Sequence, residues 1–179
     1  MHTPTIIHAP LDHGPVRALA EVPVAELITS LQPFVDLAHT GITQQALRTV
    51  GDFHGLNDLR DHHTNPLQHG AWAFKDWVPH TEYLAQISRT LGISVVGRVR
   101  LLMMLPKTTY SLHHDLDLWR LHIPLVTNPQ ALMFVNGRMW HLPVGRAYLV
   151  HVGQDHLALN AGTTDRIHVV FDSCAYLAE

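Results

Sequence analysis

The chain has 179 residues, 46% of them apolar and 15% charged, with a mean hydropathy of +0.05. This profile describes a folded domain and excludes disordered and collagen-like chains. Twelve Lys+Arg against fifteen Asp+Glu leave a net charge of −3 with no basic run, so a nucleic-acid partner, which needs clustered cations, is not expected.

The first readable element is a short amphipathic helix: Pro23 near its start, then Ala25, Leu27, Ile28 and Leu31 before Pro33. Gly51–His69 is polar and reads mainly as loop. A second helix carries Pro79 in its first turn, Tyr83, Leu84, Ile87 and Leu91 on one face, and Gly92 as its cap. After Gly92 the apolar period changes to two. Ile93–Leu105, Thr109–Asp115, Arg120–Val126, Ala131–Val135, Met139–Leu142, Ala147–Val152, His156–Asn160 and Arg166–Phe171 are strand candidates separated by turn residues. About eight short strands in about 80 residues indicate an antiparallel double-sheet roll, jelly-roll or cupin-like, with the N-terminal helices packed outside it. We read residues 1–179 as one α+β, mainly β domain whose barrel core spans about 93–173. Neither a signal segment nor an 18-residue apolar stretch is visible, so a soluble, cytoplasmic protein with no membrane partner is the expectation. The single Cys174 cannot form an intrachain disulfide and reads as buried and inert.

Histidine is the outlier, at 16 residues, roughly four times its usual share. His2, His8, His13, His39 and His69 sit among loop-like residues and read as exposed bystanders. His80-Thr81-Glu82 is a decoy H-x-E, placed at a helix start rather than a strand end. His113-His114-Asp115 differs: at period two, His113 and Asp115 leave a strand on the same side and can converge on one ion. Strand alternation turns His114 away. Chance alone supplies about one H-x-D in such a composition. The conjunction is what carries weight: Arg120 and His122 lie at i, i+2 on the next strand, His156 opens a later one, and Arg166 opens the last. All can face one cavity holding His113 and Asp115. His168 shares the face of Arg166, and Arg100 on the first barrel strand is a weaker cavity candidate. Trp72, Trp77, Trp119 and Trp140 read as core or rim, and Trp119 can also border the substrate.

Two histidines and one carboxylate leave open positions on iron, the arrangement of non-haem Fe(II) oxygenases. A bidentate 2-oxo acid fills two of those positions and O2 the third, and an arginine suits the distal carboxylate of such a co-substrate.

The run His113-His114-Asp115, Arg120-Leu121-His122-Ile123-Pro124-Leu125, Gly145, His156-x3-Asn160, Asp165-Arg166-Ile167-His168 and Asp172 resembles the aspartyl/asparaginyl β-hydroxylase family of Fe(II)- and 2-oxoglutarate-dependent dioxygenases. The resemblance covers roughly residues 93–173 and implies a double-stranded β-helix. It implies that His113 and His156 bind iron with Asp115 as the carboxylate ligand. Arg166 would hold the far carboxylate of 2-oxoglutarate, and Arg120 with His122 the end near the metal. Asn160 and Gly145 would be structural. Animal members lack the acidic ligand, so Asp115 places the chain nearer bacterial hydroxylases of free amino acids or small peptides; it also argues against halogenation. The expected activity is hydroxylation of an amino-acid C–H, free or in a peptide, releasing succinate and CO2. Two other readings stand beside it: a cupin-like module binding a metal or small acid without turnover, and a zinc hydrolase, for which Arg166 has no evident use. The sequence leaves the substrate and the oligomeric state open.

Overall fold

A computed structural model describes residues 14–41, 43–50, 74–77, 81–95, 99–115, 119–172 and 175–176. The expected 51–69 loop, Pro79, Trp72, His80, Cys174 and the four histidines at 2, 8, 13 and 69 lie outside the described residues.

Eight strands build the core: β5 (Val99–Met104), β6 (Thr108–Thr109), β7 (Trp119–Val126), β8 (Ala131–Val135), β9 (Arg138–His141), β10 (Arg146–His151), β11 (His156–Asn160) and β12 (Arg166–Phe171). They form two antiparallel sheets, β10-β7-β12-β5 in one and β6-β11-β8-β9 in the other. Two facing antiparallel sheets in this strand order form a double-stranded β-helix. The first sheet is extended at both edges by strands from the N-terminal half: β1 (Val16–Glu21) beside β10, and β2 (Gln44–Val50) with β3 (Phe74–Trp77) beyond β5. A two-stranded sheet pairs β4 (Ile93–Val95) with β13 (Ala175–Tyr176). The single strand expected over Ile93–Leu105 is therefore two, β4 and β5, in different sheets. Of the strand expected over Thr109–Asp115, only its start and a bridge at His113 are paired.

Period-two alternation sorts the large sheet into two faces. Leu121, Ile123, Ile167, Val169 and Phe171 join Leu27, Leu31, Phe34 and Val35 in an outer core beneath helix α1 (Val24–Ala38). The opposite faces of the two sheets enclose a second core of Met104, Met133, Val135, Val150, Val152 and Ala158. The α1 helix does not stop at Pro33 but runs through it to Ala38. A proline inside a helix costs about 3 kcal/mol, and burying Phe34 and Val35 beyond it returns about 1.5–3 kcal/mol each, so the longer helix wins. Helix α2 (Tyr83–Thr90) ends as expected: Gly92 has φ +72° and donates its N–H to Arg89 O at 3.0 Å, a left-handed geometry that glycine adopts without steric cost. Among the described residues no helix is long and apolar enough to cross a membrane.

Asn160 ties the barrel end together. It is fully buried; its Nδ2 donates to Met104 O (3.1 Å), Leu105 O (3.3 Å) and Thr164 O (2.8 Å), and its Oδ1 accepts from Asn128 Nδ2 (3.0 Å) and Gly162 N (3.2 Å). Asn160→Ala would leave several of these groups unpaired, each costing about 1–3 kcal/mol. With partial relaxation, thermal denaturation should show a net loss of about 2–3 kcal/mol, roughly 5–10 °C. An unchanged midpoint would show that water replaces the amide at no cost.

Candidate active site

The two histidines are brought together by the backbone. His113 and His156 exchange both main-chain hydrogen bonds, His113 N to His156 O at 3.0 Å and His156 N to His113 O at 2.8 Å. A pair of this kind projects both side chains from the same face, and the ring centroids lie 4.3 Å apart. Asp115 is anchored two residues on by its N–H to Val152 O at 2.9 Å. His113 Nε2 lies 3.9 Å from Asp115 Oδ1 and His156 Nε2 lies 3.5 Å from Oδ2; the three groups offer ligand atoms all within 4.8 Å of one another. His114 points away, two-thirds exposed beside Asp155.

The hydrogen bonds decide which nitrogens face the cluster. His113 Nδ1 donates to Ser111 O (2.7 Å) and His156 Nδ1 donates to Gln154 O (3.0 Å), because a carbonyl can only accept. With Nδ1 so bonded, either ring in its neutral form turns a lone pair on Nε2 toward the Asp115 carboxylate. Burial, the largest influence, pushes the His156 pKa below its ordinary value and keeps that ring neutral. Two lone pairs and a carboxylate facing one another suit a cation between them. Ligand atoms around one first-row ion sit roughly 3–4 Å apart, given bonds of ~2.1 Å, and the observed separations are close to that. The donor set fits a divalent metal, and each imidazole already has the outer hydrogen bond that fixes a ligating histidine.

The cluster opens on a cavity of about 240 Å³ whose lining includes Arg100, Arg120, His122, Met133, His156 and Arg166. Register explains the grouping. Val170 pairs with Arg100 on one side and His122 on the other, and Arg166 pairs with Met104, so alternate residues of β5, β7 and β12 share the inner face. Arg166 is buried, 3% exposed. Its Nη1 donates to Met104 Sδ (3.3 Å) and its Nη2 to Met133 Sδ (3.4 Å) and His168 Nδ1 (3.0 Å). Thioethers are weak acceptors, and among the described residues no carboxylate pairs with this guanidinium. Burial lowers its pKa to about 10, so it stays charged at neutral pH.

Arg120 is differently placed: its Nη2 meets Asp115 Oδ2 at 2.9 Å and its Nε meets Asp172 Oδ1 at 3.0 Å. His168 is a core histidine bonded to its neighbours. Because its Nδ1 accepts from Arg166, the facing His122 Nδ1 at 3.4 Å carries the hydrogen. The Nε2 atoms of both rings are buried without a hydrogen-bond partner among the described residues. Trp119 packs at the rim of the outer core, one of its two expected places. It is on the face of β7 opposite Arg120, under the Arg17 guanidinium (4.5 Å) and against His151 (4.6 Å), because an odd offset from Arg120 places it on the other side of the strand. Cavity residues that carried no site assignment from sequence include Gln44, Tyr110 and Met133. Asp172 gave a faint signal, an acid at an even offset from Arg166 at the end of an apolar strand.

Both buried histidines have pKa values well below the ordinary one, His122 and His168 alike through burial first and Arg166 second. The unfolded chain then binds protons near pH 6.5 that the folded chain does not. Stability is therefore full above that pH and falls as pH drops, by up to about 1.4 kcal/mol per pH unit per histidine. Denaturant titrations at pH 7.5 and 5.5 should show this loss, and His168→Asn should reduce it; an identical loss in the variant would mean that other groups cause it.

The family model described as aspartyl/asparaginyl beta-hydroxylase matches residues 73–175. The chain belongs to this family. No curated protein matches it, but solved structures share its fold over nearly the whole chain. AviO1 from Streptomyces viridochromogenes Tue57 is 16% identical with a TM-score of 0.55, over 92% of this chain and 91% of its own. The viral collagen prolyl hydroxylase vCPH from Paramecium Bursaria Chlorella virus-1, solved as a 2OG complex, is 10% identical with a TM-score of 0.52, over 91% and 97%. An oxidoreductase of the 2OG-Fe(II) oxygenase family from Burkholderia pseudomallei is 11% identical with a TM-score of 0.50, over 94% of each chain. Membership of the aspartyl/asparaginyl beta-hydroxylase family makes this chain a hydroxylase-type oxidoreductase by class.

Proposed function

We propose that the protein is an Fe(II)- and 2-oxoglutarate-dependent dioxygenase that hydroxylates a C–H of an amino acid, free or within a peptide. The observation carrying this reading is a buried arginine with no acidic partner among the described residues, Arg166, lining the cavity onto which the three converging groups open. One end of that cavity suits a cation and the other an anion, which is what a chelating diacid requires.

His113, Asp115 and His156 would hold the iron. When bound, it supplies the activation of O2 that couples oxidation of 2-oxoglutarate to succinate and CO2 with entry of one oxygen atom into the substrate C–H bond. The remaining work falls to the chain. Arg166 receives the distal carboxylate, exchanging weak thioether contacts for charge-assisted hydrogen bonds worth about 1.5–3 kcal/mol each. Arg120 and His122 border the end near the metal; His122, with its hydrogen on Nδ1, presents Nε2 as an acceptor. Leu102, Val152, Ala158 and Val170 line the cavity and keep water from its interior. The family name is not carried over to the substrate, because Asp115 completes a ligand set that the animal members lack.

The test is a screen of free amino acids and short peptides with the Fe(II)-loaded protein, scoring succinate release and a substrate mass gain of one oxygen. Succinate formation that requires Fe(II), 2-oxoglutarate and O2 together is the expected result. Turnover without O2 and best with zinc would instead indicate a hydrolase.

A further inference from the structure

Asp172 follows β12, in register with the start of β7, and is 5% exposed. One of its oxygens serves two guanidinium groups: Oδ1 lies 3.0 Å from Arg120 Nε and 3.0 Å from Arg100 Nη2. Arg100 also donates from Nη1 to Gln44 Oε1 at 3.1 Å. Arg120 then extends past Asp172 to place Nη2 at 2.9 Å from Asp115 Oδ2. A continuous chain of ion pairs therefore runs from β5 through Asp172 and Arg120 to Asp115, a carboxylate of the three-residue cluster.

We propose that Asp172 is a positioning residue for the metal-binding carboxylate: it fixes Arg120 so that the guanidinium caps Asp115 Oδ2 and leaves Oδ1 to the ion. The proposal rests on the reading of His113, Asp115 and His156 as metal ligands. Two physical effects follow from the geometry. An arginine beside a metal ligand competes with the metal for its carboxylate, and a free guanidinium engages both oxygens in its preferred bidentate mode. The ion pair of Nε with Asp172 opposes rotation of the fork onto Asp115, whose Oδ2 meets Nη2 as an ion pair rather than an aligned hydrogen bond. The negative charge of Asp172 also offsets the Arg120 cation, which would otherwise repel a divalent ion at close range. A carboxylate held at one oxygen takes one coordination position, so the others stay open to co-substrate and O2.

The experiment is a titration of the full chain with Co(II) alone, followed by its visible absorption, in wild type, Asp172→Asn, Arg120→Met and the double variant. Asp172→Asn should weaken Co(II) binding about tenfold, the scale typical of outer-shell partners, and should alter the Co(II) spectrum. In the Arg120→Met background the same change should shift affinity by less than about twofold, because the residue through which Asp172 acts is gone. An equal loss in both backgrounds, or no loss in either, overturns the proposal. Asp172→Glu, which keeps the charge but displaces the oxygen, is compared in the same two backgrounds if Asp172→Asn does not fold. Asp115→Ala separates the two levels. If it binds Co(II) as tightly as wild type, the ligand reading fails and this proposal with it; if it loses binding while Asp172→Asn does not, only the positioning role fails.

Discussion

His156→Ala is expected to abolish both stoichiometric Fe(II) binding and succinate formation. The ring is 3% exposed, holds its Nδ1 hydrogen on Gln154 O, and lies against His113 through a paired backbone bridge. Among the described residues no other histidine is positioned to replace it: His114 faces Asp155, and His122 and His168 are engaged with each other and with Arg166. Removing one of three ligands leaves a two-ligand remnant with weaker affinity and the wrong geometry. His113→Ala should behave the same way. Loss of rate should exceed about a thousandfold, equivalent to some 4 kcal/mol of barrier. The fold should survive, because the bridge is made by main-chain atoms. Metal analysis of the purified variant checks this, and a bound equivalent of iron with wild-type turnover would refute the ligand assignment.

The second large effect concerns Arg166. Arg166→Met should weaken 2-oxoglutarate binding by at least about a hundredfold, since two charge-assisted hydrogen bonds of about 1.5–3 kcal/mol each are lost. Stability should move the other way. A buried guanidinium held by two thioethers and an imidazole is poorly compensated for its lost hydration, and a methionine fits beside Met104 and Met133. The protein without co-substrate should therefore unfold at the same temperature or higher. Arg166→Lys should show an intermediate co-substrate defect, because an ammonium keeps the charge but lacks the planar fork. Calorimetry and thermal unfolding on the same samples separate the two effects. A fall in stability with co-substrate affinity unchanged would place the role of Arg166 in the fold.

The distribution of what could be read from sequence has a physical pattern. Between Val99 and Phe171 the strands keep a period of two apart from a shift at Ile167/His168, so inner and outer faces were legible, and with them the joint placement of Arg120, His122, His156 and Arg166 on one cavity. The N-terminal strands were not legible. Val16–Glu21 and Gln44–Val50 are rich in Ala, Leu, Gln and Arg, residues that favour helix in isolation, and they become strands because β10 and β5 offer open edges. The continuation of α1 past Pro33 was hidden for a related reason: local propensity says stop, and only the outer core beneath Phe34 and Val35 says continue. At the site, periodicity gave each side chain its face but not its partner. Arg120 meets Asp115 and Asp172 through packing between distant strands, and the thioether cradle of Arg166 depends on β5 and β8 meeting across the two sheets.

We place a metal at one end of a single cavity and a distal carboxylate at the other. Anaerobic calorimetry of 2-oxoglutarate binding tests this placement most directly, with and without Fe(II) and beside pyruvate, which lacks the distal carboxylate. Binding of one equivalent that needs the metal, with pyruvate much weaker in wild type but little different from 2-oxoglutarate in Arg166→Met, is the expected result. Equal binding of 2-oxoglutarate with and without Fe(II), or an undiminished preference for it over pyruvate in Arg166→Met, would contradict the account.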